Sequence, residues 1–232
     1  MNILILGCSF GVPGQCPGCV VEDHTEHQLR KLGHTVYNCS QCAGSNASSL
    51  VRAKKFLAGE PVFCPEVQYK SVDTVGPTQI LQTPFKVDWV VWFHTELSRD
   101  SVYLKKTMHS AMKLVYAQYF DFVNSLGAKL AVIGGAGPVH PSLFEYGQPD
   151  FCILSWFNEI LNLDLPQIQT LSQLDMVDKM QGCGIREKLH ILEQHAVIRK
   201  ALEDSEDFPD NYHPGNRPHK ELAKRLHQTF VS

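Results

Sequence analysis

Apolar and polar positions fall into short blocks along this chain, and the blocks switch period. Residues 2–6 form an apolar run closed by Gly7, the pattern of a strand buried on both faces that runs into a loop. Residues 22–32 carry helical spacing, Gly33 stops it, and 34–38 resume an extended, β-branched and aromatic pattern. The spacing predicts another helix over 47–57. Residues 59–86 are rich in Pro, Gly, Thr and Gln and read as an irregular loop long enough to cover a cleft. A buried strand is expected over 87–93, one long helix over 101–126 ending at Gly127, and a further strand over 129–133 closed by Gly134 and Gly135. Residues 151–156 supply a fifth strand, with helical segments around 157–163 and 184–203 and a last helix over 217–231.

Strands alternating with helices predict a parallel sheet covered on both faces, because right-handed crossovers place the helices there. The expected fold class is therefore α/β: a three-layer α/β/α sandwich around a mainly parallel, five-stranded sheet. With 232 residues, no repeat and no composition break, residues 1–232 read as a single domain.

Composition narrows the functional classes. Apolar residues make up 44% and charged residues 19%, an ordinary globular balance. A formal charge of −3 lacks the basic footprint of a nucleic-acid binder, so a small or neutral substrate is the better expectation. The first residues lack a basic, extended apolar leader, and no run of about 18 apolar residues follows. The reading is a soluble, cytoplasmic protein with no membrane partner, release within a particle remaining open; oligomeric state is not legible. Eight cysteines without a leader point to reduced thiols or a metal site before a disulfide framework.

In such a sheet ligands bind beyond the carboxyl ends of the strands. Gly7-Cys8-Ser9-Phe10-Gly11 places a serine between glycines directly after the first strand, as a nucleophile, a turn former or an anion cradle. Near the other end, Asp210-Asn211-Tyr212-His213-Pro214 sets a carboxylate three residues before an imidazole. A serine needs a base to take its proton, and the base needs a carboxylate to fix its tautomer, so Ser9, His213 and Asp210 form a chemically coherent set.

Taken together, Gly-Cys-Ser near the start and Asp-x-x-His-Pro near the end resemble the SGNH (GDSL-like) hydrolase family. Its first block supplies the serine and its last the aspartate and histidine. The resemblance implies a flavodoxin-like sandwich and an ester hydrolase that needs no cofactor for catalysis. Asn38-Cys39-Ser40-Gln41-Cys42-Ala43-Gly44-Ser45-Asn46 resembles the second block, whose glycine donates a backbone N–H to the oxyanion. Gly44 is the matching position, and Ser45 or Asn46 reads equally as a helix cap. The family's third block carries an asparagine, whereas this chain reads His94-Thr95-Glu96-Leu97. Ser9 N–H, Gly44 N–H and the Thr95 hydroxyl are the implied oxyanion donors, while ionised Glu96 can only accept. Glu96, Arg99 and His140 are candidate substrate contacts. For each, a structural role is the competing reading: an ion pair for Glu96 and Arg99, a loop position for His140.

A second signal lies in the cysteines. Cys16-x-x-Cys19 and Cys39-x-x-Cys42 are separated by nineteen residues, close to the spacing of structural zinc sites, and both pairs follow strands at one sheet edge. Zinc, reduced thiols packed as small apolar groups, and a redox pair or disulfide all fit this spacing. Cys8, Cys64, Cys152 and Cys183 read as buried side chains, His24, His27 and His34 as solvent-facing positions, and Trp89, Trp92 and Phe93 as core. The functional expectation is hydrolysis of a carboxylic ester, with small-molecule and carbohydrate esters (O-acetyl groups among them) as substrates. A non-catalytic glycan- or protein-binding module and a zinc-stabilised assembly component are the rival readings.

Overall fold

The structure is a computed structural model; it describes residues 1–12, 21–41, 44–63, 78–79, 85–95, 97–135, 139–161, 207 and 214–232, with backbone alone at Ser9, Val21, Phe63, Thr78, Gln79, Ser98, Phe157 and Leu161. In chain order the elements are β1 (Asn2–Gly7), α1 (Thr25–Lys31), β2 (Thr35–Asn38), α2 (Asn46–Leu57), β3 (Val62–Phe63) and β4 (Thr78–Gln79). They continue with β5 (Trp89–His94), α3 (Leu97–Leu104), α4 (Met108–Leu126), β6 (Lys129–Gly134), β7 (Phe151–Ile153), α5 (Trp156–Leu161) and α6 (Asn216–Val231).

Five strands form one parallel sheet in the order β2-β1-β5-β6-β7. Side chains alternate across it, as the period of a strand demands. Ile3, Ile5, Val91 and Ile133 face α1 and α6, where Leu29, Leu226 and Phe230 cover them. Leu4, Leu6, Trp92 and Val132 face α2 and α4, where Leu50, Phe56, Val115 and Tyr119 cover them. Two cores on either side of one sheet make the expected three layers, and they explain why strands β1 and β5 read as continuous apolar runs. No helix among the described residues is long and apolar enough to cross a membrane.

Four details depart from the sequence expectations. The helix expected over 101–126 is two helices: Lys105 turns left-handed at φ 53°, the Ser101 hydroxyl donates to the Lys106 carbonyl at 2.6 Å, and Thr107 caps α4 by accepting from Ser110 N–H at 3.3 Å. Apolar spacing runs through such a break unseen because the capping residue is itself compatible with a helix surface. The region 59–86 holds a short antiparallel ladder of β3 with β4. The fifth strand is only three residues long, because Ser155 accepts Asn158 N–H at 3.4 Å and starts α5. His24 and His34 are buried, not solvent-facing. The helix expected over 184–203 lies outside the described residues.

The chain leaves β1 to one side for β2 and to the other for β5 and its successors, so the sheet order reverses at β1. The region beyond the carboxyl ends of β1 and β5 is therefore the switch point, the position at which open parallel α/β sheets generally bind ligands. Gly7 makes the two strand ends close: its φ is 143°, and a Cβ there would stand 2.4 Å from the Phe93 carbonyl. Gly7→Ala is expected to cost at least about 3 kcal/mol through backbone strain and collision. Gly33→Ala, at φ 87° with open space around it, is expected to cost only about 1–2 kcal/mol. Urea midpoints of the two variants check this contrast.

Candidate active site

The loop after β1 begins with Cys8 and turns through a short 3-10 helix, Ser9–Gly11, closed by Gly11 N–H donating to the Cys8 carbonyl at 3.0 Å. Three contacts hold this turn in place. His24 Nε2 donates to the Phe10 carbonyl at 3.3 Å, and Asn38 Nδ2 donates to the Gly11 carbonyl at 2.5 Å. Phe10 lies over β6, so that a Cβ on Gly135 would sit 3.3 Å from it. Asn38 is itself fixed, donating to Glu26 Oε2 at 2.7 Å and accepting from Ser40 N–H at 2.9 Å. The post-β2 loop is zipped to the same edge by Gln41 N–H on the Gly7 carbonyl at 3.0 Å.

Gly44 follows at the mouth of α2. Its N–H donates to the Gln41 carbonyl at 3.0 Å, and a Cβ there would meet that same oxygen at 3.0 Å. Ser45 caps α2 in a reciprocal box with Ser48, both bonds at 3.0 Å. Asn46 is the junction of this half of the site. Its side-chain oxygen accepts from Trp92 Nε1 at 2.9 Å and Thr95 N–H at 3.0 Å, while its amide nitrogen donates to the Thr95 carbonyl at 3.2 Å and to Asp100 Oδ2 at 2.7 Å. Asp100 Oδ1 in turn accepts Ala47 N–H at 2.8 Å, at the positive end of α2. Gly44 and Thr95, the two oxyanion donors expected from different loops, are thus tied into one buried assembly.

Thr95 is fully buried, with its backbone engaged on both sides by Asn46. Neighbouring His94 is also fully buried, its Nε2 3.3 Å from the Tyr116 hydroxyl. That hydroxyl accepts His140 N–H at 3.1 Å, and His140 Nδ1 caps the following 3-10 turn by accepting Ser142 N–H at 3.1 Å. His140 therefore serves loop structure here, at the same sheet edge. Arg99 lies on α3, half-buried; Glu96 is outside the described residues.

The segment expected to supply the base is described only at Asp207 and from Pro214 onward. Asp207 makes a bidentate pair with Arg217, with Nε to Oδ1 at 2.9 Å and Nη2 to Oδ2 as the second contact, and its carbonyl accepts Gly215 N–H at 2.6 Å. Residues 208–213, with Asp210 and His213, lie outside the description, but the chain re-emerges at buried Pro214 and Gly215 and enters α6. His219, on the first turn of α6, packs its ring 4.1 Å from that of His24. Since His24 reaches the Phe10 carbonyl, the approach to α6 and the Ser9 turn belong to the same end of the molecule. Sequence reasoning missed Asn46, His24 and His219 as organisers of this edge. Asn46 stood only as a helix cap, and nothing local marks the two histidines.

Of the paired cysteines, Cys39 is described: it is fully buried among Leu4, Ala47 and Leu50. Cys16, Cys19 and Cys42 lie outside the described residues, and among those described no group of three or more His, Cys, Asp or Glu forms a metal-binding cluster.

No family model matches this chain, and no curated protein matches it. Solved structures do match. One is a protein assigned to the SGNH hydrolases from Slackia heliotrinireducens, 14% identical, with 99% of this chain and 98% of that one covered at a TM-score of 0.45. Another is the psychrotrophic esterase EstA from Pseudoalteromonas sp., 11% identical, covering 99% and 96% at 0.48. TesA is 14% identical, covering 99% and 97% at 0.48. At 11–14% identity and TM-scores of 0.45–0.48, these likenesses assign neither a family nor a residue's role to this chain.

Two buried groups give the site opposite responses to acid. Burial holds His24 down to about 3, with nearby His27 lowering it further and the Phe10 bond opposing. Burial pushes Asp100 up to about 6 against the pull of its Ala47, Asn46 and Ser45 hydrogen bonds. His24 therefore contributes stability that is lost as pH falls below the unfolded value of 6.5, because the unfolded state then binds the extra proton. The Asp100 contribution runs the other way: it is present below 3.8 and lost as pH rises through about 6. Between pH 7 and pH 5, wild type is expected to lose roughly 2 kcal/mol relative to His24→Gln and to gain roughly 1 kcal/mol relative to Asp100→Asn. Urea titrations of the three proteins at both pH values measure these differences. Asn46→Ala strands four buried partners and is expected to cost at least about 3 kcal/mol at either pH, read by the same titrations.

Proposed function

We propose that this protein is a serine ester hydrolase whose nucleophile is Ser9, with His213 as base and Asp210 orienting it. The observation that carries the reading is the His24 bridge. The turn holding Ser9 lies at the reversal point of the sheet, and the same imidazole that grips that turn also packs on α6, the helix entered directly after Asp210-x-x-His213-Pro214. A serine turn at that edge, and a helix joined to it whose preceding sequence carries Asp210 and His213, supply the residue types that acyl transfer needs.

In the proposed reaction the Ser9 hydroxyl attacks the ester carbonyl while His213 takes its proton. His213 then returns the proton to the leaving alcohol. Water attacks the acyl-serine by the same route and releases the acid. Backbone N–H groups of Ser9 and Gly44, with the Thr95 hydroxyl, are the proposed oxyanion donors, and each donor of this kind is typically worth about 2.7–4 kcal/mol. Glu96 and Arg99 are the proposed substrate contacts, with His140 as a third besides its role in capping the 3-10 turn. Small-molecule and carbohydrate esters, O-acetyl groups among them, are the proposed substrates, and a structural zinc on Cys16, Cys19, Cys39 and Cys42 remains a separate proposal.

A second reading has its own support. The Gly44 N–H already donates to the Gln41 carbonyl, and no asparagine follows β5, which favours a scaffold that binds an ester or glycan without turning it over. An assay with a chromogenic acetate ester separates the two. The hydrolase reading expects turnover in wild type that falls at least about a thousandfold in Ser9→Ala and in His213→Ala. Turnover unchanged in folded Ser9→Ala overturns it. Metal analysis of protein purified without added zinc tests the cysteine proposal, and a ratio far below one zinc per chain sinks it.

A further inference from the structure

The Ser9 turn and α6 are about two hundred positions apart in sequence, and two buried histidines join them. His24 has both ring nitrogens engaged. Nδ1 accepts Glu26 N–H at 3.2 Å, which leaves the proton on Nε2, and Nε2 donates it to the Phe10 carbonyl at 3.3 Å. The two bonds therefore fix one neutral tautomer, and the depressed proton affinity of the buried ring agrees with it. The ring also packs against His219, with centroids 4.1 Å apart and planes tilted by 43°. His219 is itself held: Nδ1 lies 2.8 Å from the Thr25 hydroxyl, and Trp156 packs edge-on at 5.1 Å. Next to the carbonyl that His24 grips, Asn38 grips the following one, Gly11, at 2.5 Å.

We infer that His24 is a positioning residue for the reaction proposed above, acting with His219 as a strut that fixes the Ser9 turn relative to the first turn of α6. The inference rests on that reading for its catalytic consequence, while the strut stands on the contacts alone. A plain apolar residue would fill the same space. What the imidazole adds is direction: a donor aimed at one carbonyl of the Ser9 turn, from a ring that packs against His219 of α6. A nucleophile must meet its base within hydrogen-bond reach, and a displacement of about 1 Å can cost on the order of a hundredfold in rate. Each end of the strut is bonded independently of substrate, so its effect falls on the chemical step and not on binding.

His24→Phe keeps the ring contact and removes the bond to Phe10. His24→Gln keeps a donor at about the place of Nε2 and removes the ring. Steady-state kinetics on a chromogenic acetate ester, the rate of Ser9 labelling by a fluorophosphonate, and thermal unfolding are measured on wild type and both variants. The expectation is a fall of about 10- to 100-fold in kcat and in labelling rate for His24→Phe with KM within about twofold, and partial recovery in His24→Gln, in protein folded at the assay temperature. Full kcat in folded His24→Phe overturns the inference, as does a loss that only tracks the unfolded fraction. Should His24→Phe fail to fold, His219→Leu carries the same expectations and the same overturning result. A wild type that neither turns over nor labels at Ser9 overturns the hydrolase reading instead. The strut is then read by amide exchange at Phe10, Gly11 and Val12: at least about tenfold faster exchange in His219→Leu supports it, and unchanged exchange overturns it.

Discussion

A parallel sheet covered on both faces must satisfy the backbone groups at its carboxyl edge without help from bulk water, and in this protein buried side chains meet that requirement. Asn38 and His24 take the carbonyls of Gly11 and Phe10. Asn46 takes both the N–H and the carbonyl of Thr95, and Asp100 takes an N–H at the start of α2. A buried polar group without a partner costs roughly 1–3 kcal/mol, so each bond is enforced by the penalty for its absence more than by its own gain. The loops that collect at the reversal point of the sheet are therefore held by a few polar residues in otherwise apolar surroundings. This edge stays fixed while its ends remain free to differ in chemistry.

The same arrangement sets the charges. Asp100 is the acidic group buried at the mouth of α2, and its carboxylate is tolerated because an amide, a capping serine and helix N–H groups all point at it. His24 solves the opposite problem by staying neutral, with each nitrogen matched to a backbone group of the correct polarity. Both devices follow from burial, and both bind loops that are remote in sequence: α3 to α2 in one case, the β1 turn to α1 and α6 in the other.

How much of this was legible depended on whether the signal was local. Strand β1 could be read from four consecutive apolar residues closed by Gly7, and β5 from an apolar run interrupted only at Asp88, because strands buried on both faces leave little else for the pattern to be. The break at Lys105 was hidden, since Ser101 and Thr107 look like helix-surface residues until one is seen bonding the Lys106 carbonyl and the other capping α4. The shortness of β7 was hidden by Leu154, which continues the apolar run after the ladder has ended. In the site, Ser9 stood out through its flanking glycines, and Gly44 through the resemblance of its loop to the family's second block. His24 did not: on α1's approach it has the spacing of a surface residue, and its partner His219 lies 195 positions away. Long-range pairing of polar side chains leaves no mark in one sequence, so the organisers of an edge are less legible than the residues they organise.

The position of Gly44 sharpens the chemical question. An oxyanion forming at Ser9 needs donors that are already aimed and unengaged, because reorientation during the reaction subtracts from the stabilisation they provide. Here the Gly44 N–H points at the Gln41 carbonyl, and the Thr95 N–H points at Asn46. The Thr95 bond sits in a fully buried network with four contacts on Asn46, so its N–H is not released without dismantling the junction. The Gly44 bond closes a single turn in a loop, and one turn bond exchanges at small cost. If a second-loop donor serves the reaction, it is therefore Gly44 after a local shift of the Gln41 peptide, and not the Thr95 backbone. On the proposed reading, turnover at this edge would depend on the freedom of one peptide group in the loop after β2, set against the rigidity that Asn46 imposes on its neighbours.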